Sequence, residues 1–103
     1  MPKPGDSYYM EFTTESPTTG GATNADSLPS ATAEHNGADD SAFTLTVANV
    51  DTGRYKITGT IPTSYAIGDS VVVTVAATVG GVLGKSVVDS MILSNPIPTK
   101  YVP

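Results

Sequence analysis

The chain has 103 residues, no cysteine and a formal net charge of −5. This length suits one domain with a single core, and the lack of cysteine excludes disulfides, thiolate metal sites and a cysteine nucleophile. The five Lys and Arg residues are scattered, which argues against nucleic-acid binding, and no apolar run reaches the roughly 18 residues of a membrane helix.

The first predicted elements are an extended arm and a strand. Pro2 and Pro4 disfavour regular structure in residues 1–7. This start lacks an apolar signal-peptide core, so we expect the protein to stay in the cytoplasm or to join an assembly there. Alternating apolar residues predict a strand over 8–13. Residues 14–29 are rich in Thr, Ser, Gly and Asn, which predicts a long irregular loop, often functional or partly disordered.

Two further strands are predicted on either side of a hairpin signal. Residues 30–35 form a modest strand, and Asn36-Gly37 is typical of a tight hairpin turn. Apolar residues that alternate with threonines predict the next strand over 43–47.

The segment from Asp51 to Ile57 predicts a tight turn that leads into a strand with a tyrosine near its start. Gly53 can adopt a positive φ without steric cost. Alternation from Tyr55 onward predicts a half-buried strand over 54–61. Such a tyrosine resembles the tyrosine corner of immunoglobulin-like sandwiches, whose ring is buried and whose hydroxyl bonds to the backbone. Ile57 then stands where an antibody domain has its second cysteine, and Asp51, Gly53 and Tyr55 form a predicted structural site.

The longest strands are expected in the last third of the chain. Residues 63–68 link to the longest strand and could make one short helical turn. The strand over 69–79 carries apolar residues on both faces, which is typical of a central strand. Gly80-Gly81 predicts a two-residue turn, and the return strand covers 82–93, with a bulge or a close backbone approach at Gly84.

The tail contains three more prolines, so residues 94–103 are predicted to form a second extended, polyproline-like arm. The fold predicted for 8–93 is all-β: an immunoglobulin-like sandwich of about seven antiparallel strands between the arms at 1–7 and 94–103. The expected core consists of the inward-facing apolar residues. These are Phe12, Phe43, Leu45, Val47, Tyr55, Ile57, Val71, Val73, Val75, Val88 and Ile92.

Few residues point to chemistry. His35 is the only histidine, and we expect it to be exposed on a strand or turn. Aspartates in the predicted loops could bind calcium, but they lack the Asp-x-Asp-x-Asp spacing and are typical of solvated turns. These are Asp26, Asp39, Asp40, Asp51 and Asp69. Nucleophile-elbow and phosphate-loop patterns are missing. We therefore expect no enzyme activity, no metal and no cofactor.

Aromatic residues leave sugar binding open as an alternative. Flat sugar platforms use exposed aromatic rings, and the candidates are Tyr9, Tyr65 and Tyr101. Tyr65, in a connecting loop, is the strongest of the three. The same ring could instead cap the edge of the core.

Three segments, 23–29, 49–55 and 68–85, together resemble immunoglobulin-like modules of tailed-bacteriophage structural proteins, such as decoration, head-fibre and tail-fibre proteins. The resemblance covers about residues 8–93. It implies a virion component, assembled in the host cytoplasm, that has no catalytic residues. A single module with an arm at each end suits a capsid decoration, or cement, protein that binds the outside of the shell and stabilises it.

The implied partners are the major capsid protein or other virion subunits, with a homo-oligomer as a further possibility. Arms can order on a partner, and an open sheet edge can accept or donate a strand. The alternatives are a glycan- or receptor-binding module of a phage fibre, with Tyr65 as the glycan contact, and a bacterial surface adhesin repeat. Partner contacts are expected from Pro2, Pro4, Pro96, Pro98 and Tyr101.

Overall fold

The computed structural model describes residues 2–94, which form an all-β sandwich of two antiparallel sheets and confirm the predicted fold class. One sheet has the strand order β1-β5-β4 and the other the order β3-β2-β6-β7. The strands are β1 Ser7–Thr13, β2 Ser30–His35, β3 Ala38–Asp39, β4 Leu45–Asp51, β5 Arg54–Thr60, β6 Ser70–Val79 and β7 Val82–Ile92.

The strand order matches an immunoglobulin sandwich that lacks its first strand. In that arrangement one sheet contains strands ABED and the other contains CFG. Here β1, β5 and β4 take the places of B, E and D, while β2, β6 and β7 take those of C, F and G. Within residues 2–94 no strand occupies the place of A. As a result, β1 and β7 are both edge strands on the same open side of the sandwich.

The core lies between the sheets and follows the predicted alternation. On β6, Val71 and Val73 are fully buried while Val72 between them is half-buried. Ile57 on the central strand of the opposite sheet is also fully buried. The core also contains several residues that the expected core did not include, some at the ends of predicted strands and some in connecting segments. These are Tyr8, Ala33, Ile61, Tyr65 and Leu93.

The prediction of Ile92 as a core residue is wrong, because a bulge reverses the faces of β7. Val73 pairs with Asp89 and Thr74 with Val87, which leaves Val88 without a partner. One extra residue turns every later side chain to the other face. Leu93 is therefore buried and Ile92 is 61% exposed.

Gly84, the predicted bulge, pairs regularly with Ala77. An added Cβ at Gly84 would meet nothing within 4 Å, so the residue does not mark a close backbone approach either. Residues 63–68, where one short helical turn was possible, contain turns and no helix. Two backbone bonds form turns there, from the Tyr65 amide to Pro62 and from the Asp69 amide to Ala66.

The strand predicted over 43–47 is β4, and it lies later in the chain, at Leu45–Asp51. Phe43 precedes the strand and is buried, with its ring edge-on to Tyr8. Strand β3 was not predicted, since it is only two residues long and pairs with the end of β2.

Residues 2–6 lie against the sandwich. Backbone bonds connect the Gly5 amide to the Ile61 carbonyl and the Ile61 amide to Asp6, and the Ser94 amide donates to Pro2 at 2.9 Å. A Lys3–Asp6 ion pair at 3.0 Å closes the turn. The N-terminal residues are thereby bonded to strand ends of both sheets.

Candidate functional site

The turn before β5 can accommodate only glycine at residue 53. Gly53 has a φ of +67°, and an added Cβ would lie 2.7 Å from the Thr14 carbonyl oxygen and 2.8 Å from the Thr23 nitrogen. Both neighbours are backbone atoms, which cannot swing away as a side chain can. The Gly53 carbonyl also accepts the Thr14 amide at 2.8 Å. Asp51, the first predicted residue of this site, accepts the amide of Thr52 at 2.7 Å.

Tyr55 connects this turn to the long loop. Its side chain is 3% exposed and stacks on Phe12, with ring centres 5.4 Å apart. The hydroxyl oxygen accepts the Ala25 amide at 2.9 Å. Next to it, the Asn24 side-chain oxygen accepts the Gly53 amide at 2.7 Å. The Tyr55 side chain therefore has the two features expected of it: a buried ring and a hydroxyl that bonds to the backbone.

The strand that carries Tyr55 differs from that of an immunoglobulin tyrosine corner. The corner tyrosine lies near the start of strand F, two residues before the second cysteine. Tyr55 begins β5, which takes the place of strand E, whereas β6 takes that of F. The equivalence of Ile57 to the second cysteine is therefore corrected, because a glycine turn before a strand with a tyrosine near its start does not distinguish strand E from strand F.

The loop at 14–29 is extensively bonded. Asp26 accepts the Gly80 and Gly81 amides through its two carboxylate oxygens, at 3.0 and 2.8 Å, and its own amide donates to the Thr78 carbonyl at 2.7 Å. Asp26 therefore joins the loop to the β6–β7 hairpin. Pro29 is buried, whereas its neighbour Leu28 is 61% exposed.

A polar cluster lies at the opposite end of the sandwich, and the sequence analysis missed it. His35 at the end of β2 contacts Asp69 through Nε2 at 2.6 Å and lies 3.6 Å from Asp40 through Nδ1. Its ring stacks on Tyr65 at 3.8 Å with an 8° tilt. Tyr65 donates its hydroxyl proton to Asp40 at 2.9 Å. His35 is thus partly buried between two carboxylates and a ring, which corrects the expected exposed histidine.

The cluster shifts the pKa values of its members. Hydrogen bonds from the Ala66 amide and then from His35 and Asn36 lower the pKa of Asp69 to about 2. Burial, followed by the bond to the Asp40 carboxylate, raises the pKa of Tyr65 to about 12. The ionised carboxylates and the neutral phenol are therefore the favoured forms, and together they join the β5–β6 loop to the β2–β3 hairpin.

Of the two alternatives for the Tyr65 ring, the structure shows a cap on the core edge. The side chain is 5% exposed, with one face against His35 and an edge toward Phe43. Little of the ring is accessible for a sugar to stack on. A glycan contact through Tyr65 stays an untested prediction. Tyr9, the other described candidate, is 59% exposed on β1.

The loop aspartates do not converge on one point. Asp26, Asp40, Asp51 and Asp69 each accept a backbone amide of their own or a neighbouring turn. Residues 2–94 contain no group of three or more His, Asp or Glu side chains placed to hold a metal ion. The same residues include no helix of the length and apolar character needed to cross a membrane.

The outer face of β7 carries several exposed apolar side chains. Three apolar side chains of β7, Leu83, Val87 and Ile92, are between 60% and 63% exposed. Each pairs with a Thr or Ser on the outer face of β6, so they project from the outer face of the sheet. Half of the exposed large hydrophobic residues described in the structure lie on this one strand. Val82, the fourth, is 55% exposed on the inner face.

Beside this strand, a cleft of about 350 Å³ separates β7 from β1. Phe12 of β1 and Val88 of β7 form its walls, and Val75 and Val79 of β6 form its floor. A second, separate hollow lies further along the same two strands and is lined by Pro2, Asp6, Asp89 and Met91.

The predicted partner-contact residues are only partly described. Pro2 and Pro4 are half-buried, and the Pro2 carbonyl accepts the Ser94 amide. Pro96, Pro98 and Tyr101 lie outside the described residues. The expected role of these five residues in binding a partner stays a prediction. No protein-family model, curated protein or solved structure matches the chain.

Proposed function

We propose that this chain is a non-enzymatic structural protein of a tailed-phage particle, a decoration protein that binds the outside of the capsid and stabilises it. The observation that supports the proposal is the outer face of β7, defined by Leu83, Val87 and Ile92. Several exposed apolar side chains on one face of a strand are a feature of protein–protein contact sites.

The character of the outer face suits attachment to a flat protein surface. Its apolar side chains are interspersed with the short polar side chains of Ser70, Thr74 and Thr78. Such a face can be buried without desolvating many charges, which would oppose binding. Lys85 is the one charged residue on the outer face of β7.

In this proposal, the protein stabilises the capsid mechanically. Many copies bound at subunit junctions add interface area to the shell, and this area opposes expansion under the pressure of packaged DNA. Each contact can be weak, because a repeated array gains strength from simultaneous attachment. The bonds that join loop 14–29 to both hairpins favour a rigid body that transmits load between its contacts.

A co-sedimentation assay with purified capsids tests the proposal. The parent chain is expected to sediment with shells, whereas Val87→Lys places a charge in the apolar face and is expected to reduce binding at least tenfold. Val50→Lys is the matched control, because Val50 is 43% exposed on β4, at the far edge of the other sheet. Equal binding by both variants would refute the proposed surface.

Electron cryomicroscopy of the parent particle tests the location. Density for the sandwich on the outer shell is expected. Density on a fibre, together with glycan-array binding that Tyr65→Ala abolishes, would replace the decoration role with receptor binding.

A further inference from the structure

Strand β1 has a free edge at the position where an immunoglobulin sandwich has its strand A. β1 takes the place of strand B, and strand A lies beside B. Among residues 2–94, no strand pairs with this edge of β1. An unpaired edge exposes a row of backbone amides and carbonyls, to which a further strand can bind.

The other three edge strands of the described residues carry features that hinder pairing, whereas β1 does not. β3 is two residues long, and β4 has a bulge between Asn49 and Asp51. β7 has a bulge at Val88, an exposed lysine at Lys85 and an inward-facing carboxylate at Asp89. Short strands, bulges, edge lysines and inward charges all oppose strand addition. The seven residues of β1 include none of these, and they pair with β5 in one continuous register.

The side chains of β1 also leave the edge suited to an added strand. Its one charged residue, Glu11, lies on the outer face, where it accepts the Tyr9 hydroxyl at 2.5 Å and pairs with Arg54 of β5 at 3.2 Å. On the inner face, Met10 and Phe12 pack against the core but are only half-buried. A strand added at this edge would cover the apolar surface that these two side chains still expose.

The backbone groups on the free edge belong to the odd-numbered residues of β1. The Thr14 amide donates to the Gly53 carbonyl, and the Asp6 carbonyl accepts the Ile61 amide, at the two ends of the β1–β5 pair. Backbone groups of alternate residues point to opposite edges of an antiparallel strand, so the even-numbered residues bond to β5. The free edge therefore presents the amides and carbonyls of Ser7, Tyr9, Glu11 and Thr13.

We propose that β1 pairs along this edge with β1 of a second copy of this chain, antiparallel and across a twofold axis. The two three-stranded sheets then form one continuous sheet of six strands. The proposal concerns association between copies and does not rest on the proposed function.

A second copy is the partner because the sequence of β1 is complementary to itself, as a twofold contact requires. With the axis at Met10, the middle residue of the strand, all seven residues are paired. On the inner face, Tyr8 then lies opposite Phe12 of the second copy, so apolar side chains meet. On the outer face, Tyr9 lies opposite Glu11. An axis at Glu11 would instead place two carboxylates directly opposite each other, which is unfavourable.

A single cysteine tests the position of the axis. Met10 would lie opposite its own copy in a non-hydrogen-bonded pair, whose Cα atoms are about 4.5 Å apart, within the range that a disulfide spans. The chain has no cysteine, so Met10→Cys introduces one thiol per chain. With copper phenanthroline in aerated buffer, we expect covalent dimers on a non-reducing gel.

Val87→Cys is the matched control for this cross-link. Val87 is 60% exposed on β7, whereas Met10 is half-buried, so random collisions would favour the control. We expect the Met10→Cys chain to form dimers at least tenfold faster.

Proline substitution tests the backbone pairing. Glu11→Pro removes an amide on the free edge and keeps the amides that bond to β5, and proline is tolerated at such edge positions. Glu11→Ala is its control, because it loses the same carboxylate but keeps the amide. In native mass spectrometry and light scattering, the parent chain and Glu11→Ala are expected at twice the monomer mass, and Glu11→Pro at the monomer mass.

Circular dichroism melts report whether each variant folds, and the cysteine pair decides alone if Glu11→Pro does not. A monomeric parent chain overturns the proposal, as does a folded Glu11→Pro chain that stays dimeric. Cross-linking of Val87→Cys as fast as that of Met10→Cys also overturns it. The assays use the isolated chain, so their outcome is independent of capsid binding.

Discussion

Loop 14–29 and strand β7 differ in both secondary structure and contact with the rest of the fold. The irregular loop is well connected, whereas the regular strand is largely exposed. The loop has no strand of its own, yet Asn24, Ala25 and Asp26 bond it to both neighbouring hairpins. β7 is a regular eleven-residue strand, yet most of its side chains are exposed. Regular secondary structure and integration into the fold are therefore separate properties in this protein.

The difference indicates where stability and interaction are placed. Hydrogen bonds from the loop to both hairpins, two of them partly buried, favour one conformation, and a change there is expected to be costly. Exposed side chains on β7 contribute little to the isolated fold and are available to a partner. The following changes test this contrast, from the largest expected effect on stability to the smallest.

Tyr55→Ala is expected to lower the free energy of unfolding by about 3–5 kcal/mol, because it removes a buried ring and leaves a cavity. Tyr9→Ala is the control, since Tyr9 is 59% exposed, and its expected change is within about 0.5 kcal/mol. Urea unfolding followed by circular dichroism measures both. Equal effects would show that the loop contacts of Tyr55 do not stabilise the fold.

Gly53→Ala is expected to cost about 2–5 kcal/mol. Positive φ contributes about 1–2 kcal/mol, and contact of the new Cβ with the Thr14 and Thr23 backbone adds about 1–3 kcal/mol. Gly20→Ala separates the two causes, because Gly20 has a φ of +74° and a Cβ added there would meet nothing within 4 Å. A Gly20 variant as unstable as the Gly53 variant would eliminate the steric explanation.

Asp26→Ala is expected to cost about 1–2 kcal/mol, because two amides at the hairpin lose a charged acceptor but can be hydrated. Asp51→Ala is the control, since the Asp51 carboxylate accepts only the adjacent Thr52 amide among the described contacts. Hydrogen exchange of the Gly80 and Gly81 amides should accelerate in the first variant alone. Unchanged exchange there would remove the assigned role of Asp26.

The His35 cluster predicts that the stability of the fold depends on pH in the acidic range. The pKa of Asp69 is about 2 in the folded chain, below the ordinary value of about 3.9. Its stabilising contribution is thus complete above about pH 4 and is lost as the pH falls toward 2. In thermal melts, Asp69→Asn should flatten the decline in melting temperature over this window relative to the parent chain. Parallel declines for the variant and the parent chain would contradict the assignment.

Val87→Lys is expected to change the free energy of unfolding by less than about 0.5 kcal/mol, because the side chain is 60% exposed. The same unfolding assay measures it. A decrease in the free energy of unfolding above about 2 kcal/mol would show that the outer face of β7 contributes to the stability of the fold. In that case β7 would not differ from the loop in this respect.

The sequence predicts the regular parts of the fold because strand alternation and turn chemistry are local. Asn36 and Gly37 have positive φ values, as a tight hairpin turn requires, and so do Gly80 and Gly81. The bulge at Val88 is different. Nothing in the valine-rich sequence distinguishes the unpaired residue, since the register is set by pairing with β6. The exposed Ile92 and the buried Leu93 were therefore exchanged in the prediction.

For the site residues too, the sequence predicts local features but not contacts between distant segments. The positive φ of Gly53 and the burial of Tyr55 follow from a turn signal and an alternating strand. The stacking of His35 on Tyr65 joins residues thirty positions apart, so neither residue alone indicates it. The pair of carboxylates that flank His35 comes from two different loops, and only the tertiary fold brings them together.

Asp89 follows the bulge and points inward, where it accepts the Tyr8 hydroxyl at 2.8 Å. Burial raises the pKa of Tyr8, so its phenol remains protonated at neutral pH. The inward face of β7 therefore carries an aliphatic side chain at Val82, at one end of the strand, and a hydrogen-bonded carboxyl group at Asp89, toward the other. A molecule that bound along this face would meet different chemistry at its two ends, and this difference favours one orientation of the bound molecule.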